Sequence, residues 1–116
     1  MRLDGLVSKA RNEVREIAPD AIAHDLADYI VVDVREPEEV LHGYLPDAVN
    51  VPRGVLEHGV IEDPRFADRL RPVLVYSSTG IRSLFACLTL QQLGFENVRS
   101  LAGGFSRWSA EDLPIH

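Results

Sequence analysis

Apolar residues at Leu3, Leu6, Val7, Ala10, Val14 and Ile17 recur every three to four positions, so the pattern predicts an amphipathic helix over 3–17. Lys9, Arg11, Glu13, Arg15 and Glu16 form its solvated face. Pro19 suits the first turn of a second short helix running to Ala27. The unbroken apolar run Tyr29-Ile30-Val31-Val32, ending in Asp33, has the character of a central parallel strand covered on both faces. Glu36-Pro37-Glu38-Glu39 opens a short helix, because proline tolerates the first turn and acids favour the positive helix end. Gly43 ends it.

Ala48 to Val51 reads as a second short strand, and residues 52–64, with Gly54 and Gly59, read as loop. Phe66 to Leu70 has room for one or two helical turns. Val73 to Tyr76 is the third strand. Arg82 to Leu93 is the strongest helix, apolar at Leu84, Phe85, Leu88 and Leu93, with Gly94 as its stop. Val98 to Leu101 forms a further strand, Gly103-Gly104 a turn, and Phe105 to Ala110 a last helix.

Short strands alternating with helices predict an α/β fold, a parallel sheet with helices on both faces. Ligands of such sheets bind beyond the carboxyl ends of the strands. Asp33, Ser77 and Gly103 each follow a strand and so fall on that edge. No internal repeat or low-complexity segment interrupts the chain. Its organisation reads as an N-terminal amphipathic helix over 1–16 and a domain over 17–116.

Composition narrows the functional classes. A chain of 116 residues holds one core, and a net charge of −6 argues against a nucleic-acid footprint or attraction to anionic membranes. No apolar run spans a bilayer, and the N-terminus lacks a signal-peptide segment. One cysteine rules out an internal disulfide, which points to a reducing, cytoplasmic location.

The chemistry concentrates in Val73 to Ser83, a buried strand, a polar loop and a helix start. Such a junction aims unsatisfied N–H groups and a helix N-terminus at one spot, which binds anions and stabilises a thiolate. The first loop residue, where a thiol is sought, is Ser77.

Four segments carry a family resemblance: Asp33 to Glu39, Gly43 to Pro52, Tyr76 to Ser83, and Leu101 to Trp108. In this order and spacing, over Ile17 to Pro114, the chain resembles the rhodanese-like domains. The resemblance implies a five-stranded, mostly parallel sheet and transfer of sulfane sulfur without a cofactor. A loop cysteine takes sulfur from a donor such as thiosulfate, becomes a persulfide, and passes the sulfur to a thiol or to cyanide.

The family loop has cysteine, four residues, then arginine, and Ser77 to Arg82 has that length. Related phosphatases carry one residue more, so loop length favours sulfur over phosphate. By this resemblance Ser77 stands at the nucleophile position, Ser78, Thr79, Gly80, Ile81 and Arg82 form the anion cradle, and Ser83 starts the helix. Arg82 is the main anion contact, with a structural salt bridge as its bland alternative. Asp33 supports the site by bonding loop backbone. Arg35 and Glu36 either touch substrate or form a surface ion pair.

Departures matter as much. A hydroxyl at Ser77 carries no persulfide and barely ionises at neutral pH. Ser78 stands where thiosulfate enzymes often have a basic residue, and Tyr44 where histidine is common. Two explanations stay open for Ser77: replacement of a cysteine that silences the thiol, or a natural serine in a non-catalytic module that binds an anion or a protein partner.

Other residues take plainer roles. Cys87 reads as a buried small hydrophobe. His24, His42, His58 and His116 lack metal-ligand spacing and read as surface or local groups, so no metal is expected. A hydrolase triad on Ser77 is disfavoured because the Gly-x-Ser-x-Gly elbow is missing. Gly103-Gly104 lets backbone approach the site or is a plain turn. Phe105 and Trp108 read as packing for the last helix. The first helix packs on its own domain in preference to forming a homodimer.

Overall fold

The computed structural model describes residues 3–116. Its elements in chain order are α1 (Leu3–Glu13), β1 (Arg15–Ile17), α2 (Pro19–Ile22), β2 (Ile30–Asp33), α3 (Pro37–Val40), β3 (Val49–Asn50), α4 (Leu56–Glu62), β4 (Val73–Tyr76), α5 (Ile81–Gln92), β5 (Val98–Leu101) and α6 (Gly104–Ala110). Tight 3-10 turns at Ala23–Asp28, Arg53–Val55 and Pro64–Phe66 join them. The five strands form one sheet in the order β1-β5-β4-β2-β3, and every pairing is parallel.

Strand alternation sorts the core into two layers. Val73 and Val75 of β4 face the side covered by α1, α4 and α5, with Val7, Ala10, Val14, Leu84, Cys87 and Leu90. Leu74 and Tyr76 face the other side, with Ile22, Leu26, Leu101 and Trp108. All four β4 residues are buried, as the continuous apolar run requires of a central strand.

Two elements depart from the sequence expectation. Arg15 to Ile17 is not the end of the first helix but the edge strand β1, paired with Arg99 to Leu101. The last helical bond is Val14 N–H to the Ala10 carbonyl, at 2.9 Å. Val14 then packs in one layer and Ile17 against the other, so the apparent stripe crosses the sheet. Residues 56–62, expected as loop, are the helix α4, which buries Leu56 and Val60 one turn apart. Gly59 lies inside it because a Cβ there would stand 2.8 Å from Val51 Cγ1. Between Pro64 and Leu70 the helical content is the single turn Pro64–Phe66, capped by the Asp63 carboxylate accepting from Arg65 N–H at 2.9 Å.

Candidate active-site loop

β4 delivers Ser77 to the carboxyl edge of the sheet, and α5 begins four residues later. Ser77 is 1% exposed. Its Oγ accepts from Gly80 N–H and Ser83 N–H at 3.2 Å each. It donates to Ser83 Oγ at 3.2 Å, and Ser83 Oγ lies 2.8 Å from Ser100 Oγ. Three buried hydroxyls thus run from the loop into β5. The N–H groups of Ser78, Thr79, Ile81 and Arg82 meet no protein acceptor among the described residues. They form the open side of the cradle, at the positive end of a twelve-residue helix.

The loop's shape is imposed from α6. Phe105 N–H donates to the Ser77 carbonyl at 2.8 Å, and Ser106 N–H to the Ser78 carbonyl at 3.0 Å. With these carbonyls held against α6, the loop's N–H groups are left for the cradle. The approach is close enough to exclude side chains. A Cβ on Gly104 would collide with the Ser77 carbonyl and stand 2.7 Å from the Ser78 carbonyl and 2.8 Å from Gly80 N. Gly80 adopts φ +97° and its Cβ position lies 3.2 Å from Gly103 N, so both glycines are dictated by backbone geometry.

Arg82 does not point freely into the cradle. Its guanidinium makes a bidentate pair with Glu39 of α3, at 2.7 and 2.8 Å. This bond, chiefly, holds the Glu39 carboxyl down at about 2, against an ordinary 4.5. Glu39 Oε1 also accepts from Glu36 N–H at 2.9 Å, at the start of α3.

Asp33 and Arg35 form a separate, buried assembly. Asp33 Oδ2 accepts from Arg35 Nη2 at 2.8 Å and from the Tyr76 hydroxyl at 2.7 Å. Oδ1 takes Arg35 N–H and Nε–H, each at 3.0 Å. Arg35 continues to the Gly43 carbonyl at 2.7 Å and lies 4.3 Å over the Phe105 ring. Burial and the bond to Asp33 push the Tyr76 hydroxyl well above its ordinary value. Asp33 thus bonds loop backbone, at Arg35 N–H, while its other bonds go to the Arg35 and Tyr76 side chains. Arg35 is a buried ion pair rather than a surface one, at 3% exposure.

Glu39, Tyr76 and Ser100 complete the surroundings but were not among the expected site residues. Cys87 is fully buried on α5, and burial pushes its thiol up to about 12. A cleft of about 470 Å³ lies at the opposite end of the strands, between Leu26, Ile30, Val49 and Arg71.

Comparison with known proteins gives a consistent result. A family model described as rhodanese-like domain matches residues 18–111. A sulfurtransferase of Allochromatium vinosum is 35% identical over 105 residues, covering 88% of this chain and 94% of that protein. Thiosulfate sulfurtransferase 16, chloroplastic, of Arabidopsis thaliana is 34% identical, covering 80% of this chain and 86% of its own. A Rhodopseudomonas palustris protein of unknown function, described as a possible tyrosine phosphatase, superposes with a TM-score of 0.91 at 24% identity, covering 100% of this chain and 95% of that one. That likeness concerns the fold.

Proposed function

This chain belongs to the rhodanese-like domain family, and we propose that it is a sulfurtransferase scaffold held silent by Ser77 at the nucleophile position. The observation that carries this reading is the place of Ser77 Oγ: buried, at a strand end, with two backbone N–H groups converging on it at 3.2 Å. An atom so placed bears negative charge well. A thiol there falls below its ordinary pKa of about 8.5, as thiols do at helix N-termini. A serine hydroxyl stays protonated.

With cysteine at this position the chemistry runs in two displacements. The thiolate attacks the outer sulfur of thiosulfate, the sulfur–sulfur bond of the donor breaks, and sulfite leaves with the electron pair. An acceptor thiolate, or cyanide, then attacks the persulfide's outer sulfur and returns the loop thiolate. The free N–H groups of Ser78, Thr79, Ile81 and Arg82 face the departing anion. Asp33 and Arg35 act from a distance, by fixing the ends of β2 and β4. The thiosulfate activity named for the Arabidopsis relative supports this donor class. A lone, buried Cys87 is at home in a reducing compartment such as the cytoplasm.

A second reading, a non-catalytic module that binds an anion or partner, is favoured by one detail. The Ser77 hydroxyl is fully bonded, accepting twice and donating once. Restoring the thiol separates the two. Ser77→Cys should gain thiosulfate:cyanide transfer and form a persulfide visible as a 32 Da mass increment, about the mass of one sulfur atom. A correctly folded Ser77→Cys protein with neither would overturn the sulfurtransferase reading.

A further inference from the structure

The charged neighbours of Arg82 are Glu39 of α3, Glu36 just before it, and Arg35, whose charge Asp33 balances. Arg82 itself is held by Glu39 at 2.7 and 2.8 Å through two parallel bonds, the bidentate geometry of a strong arginine–carboxylate pair. Ser78, the neighbouring cradle position, adds no charge. The cradle therefore offers an anion its backbone N–H groups and the α5 dipole, while its arginine, Arg82, is already paired.

An anion that takes Arg82 through the same two Nη groups displaces Glu39, and one that approaches its remaining N–H groups meets that carboxylate beside it. The penalty grows with the anion's own charge, because the Glu39 carboxylate, with Glu36 nearby, acts on the same guanidinium. We propose that Glu39 competes with bound anions for Arg82 and so sets the charge selectivity of the loop, disfavouring dianions such as thiosulfate relative to singly charged donors. The proposal rests on the reading of the loop as the anion site, and it adds Glu39 as a specificity-determining residue to the cradle of 77–83. Donors with a single charge, such as a thiosulfonate or a low-molecular-weight persulfide, are the class that fits.

The test uses the serine-bearing protein, so it does not depend on sulfur transfer. Backbone amide shifts of residues 78–83 are followed by ¹⁵N NMR while thiosulfate, or the monoanion methanesulfonate, is added at constant ionic strength. Glu39→Gln keeps an oxygen for the Glu36 N–H and removes the competing charge. Thiosulfate should bind Glu39→Gln about tenfold more tightly than the parent, on the order of 1.4 kcal/mol. The gain for methanesulfonate should be smaller. In Glu39→Gln/Arg82→Gln the gain should vanish, since it acts through the freed guanidinium.

Equal thiosulfate affinity in parent and Glu39→Gln, including no binding by either, would overturn the proposal. So would a gain that survives in the double variant, or one of equal size for the monoanion. A Ser77→Cys protein inactive with thiosulfate and also with a singly charged thiosulfonate, alongside a tenfold gain in Glu39→Gln, would defeat the catalytic reading alone. An active Ser77→Cys with no gain would defeat this inference alone.

Discussion

Gly104→Ala isolates the contact that shapes the loop. In the folded protein Gly104 has φ +61°, a region where an L side chain costs roughly 1–2 kcal/mol. The added Cβ would also collide with the Ser77 carbonyl and lie 2.7 Å from the Ser78 carbonyl. These obstacles are backbone atoms, so no side-chain rotation relieves them. α6 must move outward, which breaks the bonds from Phe105 N–H and Ser106 N–H to those two carbonyls. Each such bond contributes about 1 kcal/mol. Together the substitution should cost about 3–4 kcal/mol. Urea unfolding followed by circular dichroism measures it, with the m-value unchanged if only stability alters. Gly54→Ala is the control, because nothing lies within 4 Å of its Cβ position and its backbone needs no glycine. It should be neutral or slightly stabilising. The cradle should suffer along with stability, with amide shifts across 78–83 in Gly104→Ala and none there in Gly54→Ala. A loss below about 1 kcal/mol for Gly104→Ala would refute the argument, since the backbone penalty alone would then be missing.

Two further outcomes follow from the ion pairs. Asp33→Asn leaves Arg35 buried without its counter-charge and should destabilise by about 3 kcal/mol; Asp33→Asn/Arg35→Met should recover part of that loss, and a single variant as stable as the parent would show the pair to be inert. Glu39 titrates at about 2 in the folded protein against 4.5 ordinarily, so its pairing stabilises above the ordinary value and the contribution disappears as pH falls through 4.5 toward 2. Arg82 and Arg35 favour its charged form and Glu36 lies alongside, so the stability difference between parent and Glu39→Gln should be flat at neutral pH and shrink across that acid window in urea titrations. A difference independent of pH would contradict it.

The central strands were legible because burial on both faces demands an unbroken apolar run, as at Ile30–Val32 and Val73–Tyr76. The edge strand β1 was not. Arg15 and Glu16 are exposed, and Ile17 happens to continue the spacing of the preceding helix. α4 was hidden by Gly59, a residue that signals loop locally but here admits Val51. The same divide runs through the site. The loop's position and its tight Gly80 follow from adjacent residues. Its partners do not, because they arrive from far along the chain: Glu39 is 43 residues from Arg82, Asp33 is 43 from Tyr76, and Ser100 is 17 from Ser83. The pair Glu36 and Glu39, three apart before a short helix, was a readable capping pattern. Nothing local says that the second acid would also reach Arg82.

These distant partners separate the loop's shape from its charge. Shape comes from α6, which holds the Ser77 and Ser78 carbonyls, and from β2 and β4, whose ends are tied by Asp33, Arg35 and Tyr76. None of these contacts uses the Ser77 side chain, so exchanging oxygen for sulfur at this position leaves the supports of the cradle in place. Charge comes from Glu39 and Arg82, at the rim, where the bonds are partly solvated. Selectivity for the anion can therefore change at the rim without disturbing the buried supports, and reactivity can change at Ser77 without disturbing either. On the proposed reading such a scaffold keeps its fold and cradle whichever residue stands at position 77, so fold and anion affinity alone do not report on catalysis, and turnover must be read on the Ser77→Cys form.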